Sequence, residues 1–268
     1  MRFLGVDLAW KDGNRSGVAC LEGSRFPLEL RERPRTLASH GEVLGWIARR
    51  VTRRRAAVGI DAPLLGLGGG RRGGDNEVAS VFGRFHASTH SPPRYPGLEA
   101  FAAALLGNYA LESFGPGWRP TPGCPTLREV YPNALQVLLF GLDERPGLTI
   151  VKYKRQRFAG KRAWVDRGLR VFIDRCAQAI GGRYVSAGGP GWQALLAERP
   201  RASMSSAELK GIEDRWDAVL CALGAALECC TPGTMRFYPD APEAWRRGYI
   251  LAPVLPIVRE GRSAPNSN

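Results

Sequence analysis

Histidine is scarce in this chain, and its cysteines lack the spacings that are typical of zinc sites. It contains three histidines, and its six cysteines form no Cys-x-x-Cys pair. Zinc sites in proteins need closely spaced cysteine and histidine ligands, so the sequence excludes the common zinc motifs. Cys221, Cys229 and Cys230 lie in or at the end of one apolar segment. We expect them to be buried free thiols in a reducing cytosol.

Long hydrophobic runs are also missing. The longest apolar stretches, near 100–111 and 218–230, are shorter than the roughly 20 residues that a membrane-spanning helix needs. The sequence therefore predicts a cytoplasmic protein with no membrane partner, and it leaves the oligomeric state open. The glycine run 66–74 lacks the Gly-Lys-Ser/Thr ending of a nucleotide-binding phosphate loop, which argues against that motif.

Lysine is rare although the chain is strongly basic. The net charge is +13 and the isoelectric point is about 10.0, yet lysine occurs only at positions 11, 152, 154, 161 and 210. The planar guanidinium of arginine suits bidentate contacts with phosphate. One interpretation is a polyanionic partner, DNA or RNA, and the other is an arginine-biased genome that scatters arginines over a solvated surface.

Acidic residues are fewer, but they recur at places that a fold can bring together. Asp7 and Asp61 each end a short apolar run typical of a buried strand, and Glu213, Asp214 and Asp217 lie near the start of a long apolar helix. A carboxylate at the end of a core strand needs a cation or hydrogen bonds to offset its desolvation. Carboxylate oxygens from separate elements suit Mg²⁺ or Mn²⁺, so this pattern predicts a metal site.

Hydrophobic periodicity predicts an alternation of strands and helices. Residues 2–9, 16–22 and 26–33 have the pattern of an antiparallel meander, and the run Ala56 to Asp61 predicts a fourth strand parallel to the first. A capping box at Ser39 to Glu42 predicts a helix that ends near the basic run 53–55.

The stretch 65–127 interrupts this alternation, and we interpret it as a helical insertion that acts as a mobile cover. It carries a helix predicted over 98–114. Beyond it, the pattern predicts a strand over 128–132 and helices over 133–140, 162–180 and 206–229. We expect one domain over residues 1–258 and a polar, disordered tail over 259–268.

The last helix separates its apolar and acidic residues. At 100° per residue, one stripe is formed by Ile212, Trp216, Val219, Leu220, Leu223 and Leu227. Lys210, Asp214 and Asp217 share another face, which continues as the small residues Cys221 and Ala225. Acids in a first helical turn also favour the helix dipole without any ligand, so this helix alone leaves both interpretations open.

Several blocks of this sequence resemble one family. They are Gly5-Val6-Asp7-Leu8-Ala9, Gly59-Ile60-Asp61-Ala62-Pro63-Leu64, Glu129-Val130-Tyr131-Pro132-Asn133-Ala134, Lys152-Tyr153-Lys154, Glu213-Asp214 with Asp217-Ala218, and Gly248-Tyr249-Ile250 with Pro253. In this order they resemble the signature of the domain-of-unknown-function family 429, described as predicted RNase H-like nucleases. The resemblance implies an α/β fold, a ribonuclease H-like mixed sheet flanked by helices, with the large helical insertion after the fourth strand.

The resemblance also implies a two-metal nuclease that hydrolyses phosphodiester bonds. Asp7 becomes the central ligand of Mg²⁺ or Mn²⁺, and Asp61 completes the site together with Asp217 or Asp214. Glu129 is a further catalytic candidate, and it either faces the same cleft or pairs with an arginine.

Four basic residues are candidates for binding the substrate. Lys152 and Lys154 flank Tyr153 and either contact a phosphate or form a solvated basic edge strand. Lys210 shares the acidic face of the last helix. Arg84, together with Asp75, matches a weaker block of the family. The neighbouring arginines at 71 and 72 lie in a glycine-rich loop that either touches substrate or is disordered. We expect His86 and His90 to be surface residues.

Other functions stay open on the same fold. One is a basic nucleic-acid-binding or assembly protein without catalysis. Another is an actin-like ATPase or kinase, but Leu8-Ala9-Trp10 follows Asp7 where that group carries glycine and hydroxyl residues for phosphate. A third is a hydrolase of a small phosphorylated substrate.

Overall fold

A central mixed sheet organises the molecule. The computed structural model describes residues 1–68, 70–89, 95–109, 115–145 and 147–255. The sheet contains β1 (Arg2–Asp7), β2 (Ser16–Glu22), β3 (Glu29–Leu30), β4 (Arg35–Leu37), β5 (Ala56–Ile60) and β6 (Thr126–Glu129). Its order is β3-β2-β1-β5-β6, with β4 also paired to β2. β1 is antiparallel to β2 and parallel to β5, and β5 is parallel to β6.

The meander and the parallel strand that follows it are therefore as the periodicity predicts. The third predicted strand, 26–33, is reduced to Glu29–Leu30 in the sheet. The reason is a competing partner, because Leu28 N donates to Tyr184 O and Ser186 N donates to Leu28 O, at 2.8 and 2.7 Å. β4, which has three residues, was not predicted.

Helices cover both faces of the sheet. They are α1 (His40–Val51), α2 (Gly73–Phe82), α3 (Pro96–Tyr109), α4 (Pro132–Leu139), α5 (Tyr153–Gln156), α6 (Lys161–Ala163), α7 (Arg170–Ile180), α8 (Pro190–Leu196) and α9 (Ser206–Cys230). α6 continues through a π-helical turn, Trp164–Leu169, into α7. A small antiparallel sheet is formed by β7 (Met235–Tyr238) and β8 (Ile250–Pro253).

Capping residues explain where two of these helices begin. Ser39 Oγ accepts a hydrogen bond from Glu42 N at 3.2 Å, while the Glu42 carboxylate accepts from Ala38 N, so only half of the predicted box forms. At α9 the box is complete, because Ser205 and Glu208 each accept a bond from the other's backbone N–H.

The stretch between β5 and β6 contains α2, a 3₁₀ turn at Gly83–Phe85, and α3. It is the predicted helical insertion, although β6 begins at Thr126, inside its predicted bounds. The helix predicted over 98–114 is described as far as Tyr109, and the rest of that prediction, like the predicted tail, lies outside the described residues. The edge strand proposed around Lys152 and Lys154 is wrong, since Tyr153 begins α5.

α9 lies in the core, and its backbone touches the central strands. A Cβ atom built on Gly5 would lie 1.9 Å from Ala218 O, and one on Gly59 would lie 2.2 Å from Cys221 O. Only glycine permits this separation between strand and helix. α9 is buried on its other side as well, where Trp216 packs edge-on against Trp192 of α8 at 5.6 Å. Its residues are therefore buried well beyond the apolar stripe that its periodicity predicts.

No helix in the described part of the chain combines the length and the apolar character required to cross a membrane.

Candidate functional site

Three parallel strands end at the same edge of the sheet, and an acidic residue lies at the end of each strand or directly after it. Asp7 is the last residue of β1, Glu129 is the last of β6, and Asp61 directly follows β5. The register pairs Val6 with Ile60 and Ile60 with Glu129. Asp61 N donates to Val6 O at 2.9 Å, which fixes Asp61 beside Asp7.

α9 brings two more acids to this edge. Asp214 and Asp217 are 1% and 0% exposed, and Asp7 is 8% exposed. The negative charge of Asp7 acts on the Asp214 carboxyl and makes it harder to ionise. The close approach of α9 to the strands places these acids together. The residues predicted as metal ligands thus lie side by side, and Asp7 is near all the others.

Burial and mutual repulsion make these carboxyls hard to ionise. Burial, with the charges of Asp7 and Asp217 adding to it, raises the pKa of Asp61 to about 8, although Lys154 opposes the shift. Burial and Asp7 together raise the pKa of Asp214 to about 8 as well. The pKa of Asp217 is also raised, chiefly by burial. Cations brought to this site would relieve the repulsion.

Two lysines supply positive charge here. Lys210 Nζ contacts the Asp214 carboxylate and lies 3.1 Å from Glu213 Oε1. Lys154 Nζ lies 3.1 Å from Asp217 Oδ2, and its side chain is 47% exposed. Burial favours the neutral amine, but Asp217 and the other acids outweigh it and raise the pKa of Lys154 well above its usual value. Two of the three predicted lysines, Lys154 and Lys210, therefore belong to the site and carry charge.

Tyr153 is a site residue that the sequence analysis missed. Its buried hydroxyl donates to the Asp217 carboxylate, with the Oη atom 2.7 Å from each carboxylate oxygen. Only the flanking residues Lys152 and Lys154 were predicted as site residues. A tyrosine between two lysines in a family block is the signal that points to it.

A second buried cluster supports Glu129. Arg72 is 7% exposed and donates to both oxygens of Glu129 and to both oxygens of Asp75. It also donates to Leu65 O at 2.9 Å, and Leu64 N donates to Glu129 Oε2 at 3.2 Å. Both interpretations of Glu129 hold, since it faces the cleft and pairs with an arginine. Arg72 is not in a disordered loop, because it is buried in this cluster.

The Arg72 cluster predicts a large loss of stability on substitution. Arg72→Met leaves two buried carboxylates without their counter-charge, and we expect the free energy of unfolding to fall by about 3–5 kcal/mol. Urea unfolding measures the loss. The exposed Arg84, which stacks on Phe85 at 4.7 Å, provides the control, because Arg84→Gln should change stability by less than about 0.5 kcal/mol. A loss below about 1 kcal/mol for Arg72→Met would show that water reaches the cluster and solvates its carboxylates.

The acids at this edge of the sheet border a cavity of about 760 Å³. Asp7, Asp61, Glu129, Asp214, Lys154 and Lys210 line it, together with Lys11, Arg15, Trp10, Tyr95 and Tyr131. Asp217 lies behind this wall, and Lys11 Nζ sits 5.2 Å from the centre of the Tyr95 ring. The cavity lining therefore combines acids, cations and aromatic rings.

Two predicted substrate-binding residues lie elsewhere. Lys152 lines a neighbouring cavity, and Arg84 lines neither of the two cavities. His86 is exposed, as expected, and His90 lies outside the described residues.

The donor set suits a hard cation in type and charge, because its members are carboxylates whose repulsion a cation would relieve. In the described arrangement, the ammonium groups of Lys154 and Lys210 balance much of this charge. Within the described ranges, no group of three or more His, Cys, Asp or Glu side chains is arranged to hold a metal ion. The residues thus fit Mg²⁺ or Mn²⁺ chemically, without a preformed coordination shell.

The raised pKa values predict how stability depends on pH. Folded Asp61 and Asp214 keep their protons up to about pH 8, whereas the unfolded chain releases them near the ordinary value of 3.8. The folded state then binds more protons, so the metal-free protein should lose stability as the pH rises from about 4 to 8. Urea midpoints at pH 6 and pH 8.5 test this, and Asp61→Asn should reduce the difference. If the urea midpoint changed equally between the two pH values in wild type and variant, this prediction would be contradicted.

The fold and the site define a class: a mixed α/β protein whose sheet, flanked by helices, ends in a cluster of carboxylates beside a cavity. The chain belongs to the family described as Protein of unknown function (DUF429), whose model matches residues 5–244. This match confirms the family that the sequence blocks indicate. No curated protein and no solved structure matches the chain.

Proposed function

We propose that this protein is a metal-dependent nuclease that hydrolyses phosphodiester bonds in DNA or RNA. The observation that carries the proposal is the convergence of Asp7, Asp61, Asp214 and Asp217, from two strands and one helix, beside a cavity lined by cations. Acids that repel one another at a cavity wall are costly for stability, and such costs are typical of functional sites.

The sheet supports a ribonuclease H-like assignment. Three strands form an antiparallel meander, and two further strands pair in parallel beside the first, with α9 packed across them. We infer that Asp7 on β1, Asp61 after β5 and the acids of α9 hold the equivalent places to the acids that the family resemblance implies.

The chain's own residues have distinct tasks in this reaction, which adds the oxygen of a water molecule to phosphorus and breaks one P–O ester bond. Mg²⁺ or Mn²⁺ held by Asp7, Asp61, Asp214 and Asp217 would activate the water and neutralise charge on the phosphate. Lys154 and Lys210 bind non-bridging phosphate oxygens. The Tyr153 hydroxyl fixes the orientation of Asp217, and Arg72 holds Glu129 against the cavity.

The surface charge supports the choice of substrate. With a net charge of +13, the chain attracts a polyanion, and Lys11 and Arg15 lie at the same cavity. A cytoplasmic location fits a nucleic-acid substrate and stays a prediction.

The test is metal binding and cleavage by the wild-type protein. Calorimetry with Mg²⁺ and Mn²⁺ should show binding, and single-stranded, duplex and branched DNA and RNA should be cut with metal and left intact with EDTA. Metal binding without polynucleotide cleavage would favour a small phosphorylated substrate. An absence of metal binding would favour a non-catalytic nucleic-acid-binding protein, and hydrolysis of ATP alone would favour the ATPase alternative.

A further inference from the structure

A second cavity adjoins the first. It has a volume of about 440 Å³ and shares Tyr131, Asn133 and Lys154 with the cavity that the acids border. Its other lining residues are Gly83, His86, Ser88, Ile150, Val151, Lys152, Tyr153, Arg155, Arg157 and Phe158. The three shared residues place the two cavities side by side, and we call the pair the groove.

The two halves of this groove differ in charge. Five acidic residues line the first cavity, whereas none of the described residues that line the second is acidic. Four basic side chains line the second, Lys152, Lys154, Arg155 and Arg157. Arg155 and Arg157 are exposed. This half of the groove suits phosphate groups and does not suit metal ions.

An unusually exposed aromatic ring lies among these cations. Phe158 is 81% exposed, about twice the exposure of Trp118, at 42%, and of the other large apolar side chains exposed in the described part of the chain. The Arg157 guanidinium lies 5.3 Å from the centre of the Phe158 ring. An open aromatic face beside arginines is the arrangement with which proteins stack the bases of single-stranded nucleic acids.

We infer that the second cavity is a subsite for unpaired nucleotides next to the scissile phosphate. One base stacks on Phe158, and the neighbouring phosphates pair with Arg155 and Arg157. This inference rests on the proposed nuclease function and narrows it to a substrate class. In a duplex each base face is covered by its neighbours, so the substrate is single-stranded DNA or RNA, or a single-stranded end.

Binding of fluorescein-labelled oligonucleotides in EDTA tests the subsite without any cleavage. We expect Phe158→Leu to weaken binding of single strands about tenfold and to leave duplex binding unchanged, because stacking on the ring is lost. Phe158→Trp should bind single strands as tightly as the wild type does, because it keeps an aromatic ring at this position. Since Phe158 is exposed, neither change should disturb the fold.

The arginines are tested by the salt dependence of binding. Arg155→Gln/Arg157→Gln should reduce the slope of log K against log salt by about 1.4, because each phosphate neutralised on a single strand contributes about 0.7. The matched control is Arg54→Gln/Arg55→Gln. These two exposed arginines precede β5, at the opposite end of the sheet from the acids, so the slope should not change.

Hydrolysis of bis(4-nitrophenyl) phosphate separates this inference from the proposed function. This small diester needs the acids and not the subsite, so Phe158→Leu should hydrolyse it at the wild-type rate. Unchanged oligonucleotide binding by Phe158→Leu, or wild-type binding to duplex as tight as to single strands, would overturn the subsite. If neither the diester nor any oligonucleotide is hydrolysed while Phe158→Leu loses single-strand binding, the nuclease proposal fails and the nucleotide-binding subsite stands.

Discussion

Asp7→Asn is expected to lower metal-dependent cleavage by about 10³-fold or more, which corresponds to about 4 kcal/mol of transition-state stabilisation. Asp7 has this effect because its charge reaches each of the other three site carboxyls. Burial is the largest cause of the raised pKa of Asp61, Asp214 and Asp217, and the charge of Asp7 raises each of these pKa values further. Without it, the site loses both a ligand and much of its attraction for a divalent cation.

Cleavage rates and Mg²⁺ calorimetry on the same samples measure this loss. Asp174→Asn is a suitable control, since Asp174 is an exposed acid of α7 that pairs with Arg199. That control should keep the wild-type rate. The circular dichroism spectrum of Asp7→Asn should match that of the wild type, because amide and carboxylate have the same shape. A retained cleavage rate would remove Asp7 as the central ligand.

Gly5→Ala is expected to force α9 away from the central sheet and to destabilise the fold. The new methyl group would lie 1.9 Å from Ala218 O and 2.4 Å from Ala222 N, both of which belong to the backbone of α9. Neither atom can move alone, so the whole helix must shift. We expect a loss of about 3 kcal/mol in the free energy of unfolding. Nuclease activity should fall as well, because α9 holds Asp214 and Asp217.

Gly107→Ala is the matched control for this change. Gly107 lies in α3, and a Cβ atom there meets nothing within 4 Å. The same substitution should stabilise the protein by up to about 1 kcal/mol, since alanine favours a helix over glycine. Urea unfolding compares the two. If Gly5→Ala costs less than about 1 kcal/mol, the contact between α9 and β1 is looser than described.

The parts of the fold that short patterns encode were predicted well. The apolar runs of β1, β2 and β5, the Ser39 cap and the Pro132 start of α4 are local signals, and the structure places these elements where the sequence does. The acidic face of α9 was equally readable, since helical spacing alone puts Asp214 and Asp217 on one side.

What escaped prediction depends on distant partners. Leu28 leaves the central sheet because Tyr184 and Ser186, more than 150 positions away, bind its backbone. Tyr153 begins a short helix rather than an edge strand, and its role follows from Asp217, which lies 64 positions further on. Arg72 stood in a glycine-rich stretch that suggested disorder, yet Glu129 makes it a core residue. None of these partners is visible in the local sequence.

The acids of the site are far apart in the sequence, and this separation determines when during folding the site can form. Asp7 is in the first strand and Asp217 is in the last long helix, so the first and last acids are 210 positions apart. Such distant contacts form late in folding, because the chain must close a long loop before they stabilise it. A chain still being synthesised therefore carries no complete site until α9 has emerged and docked. Cation-dependent stabilisation would then report that folding is finished, and fragments that lack α9 should neither gain stability from metal nor cut nucleic acid.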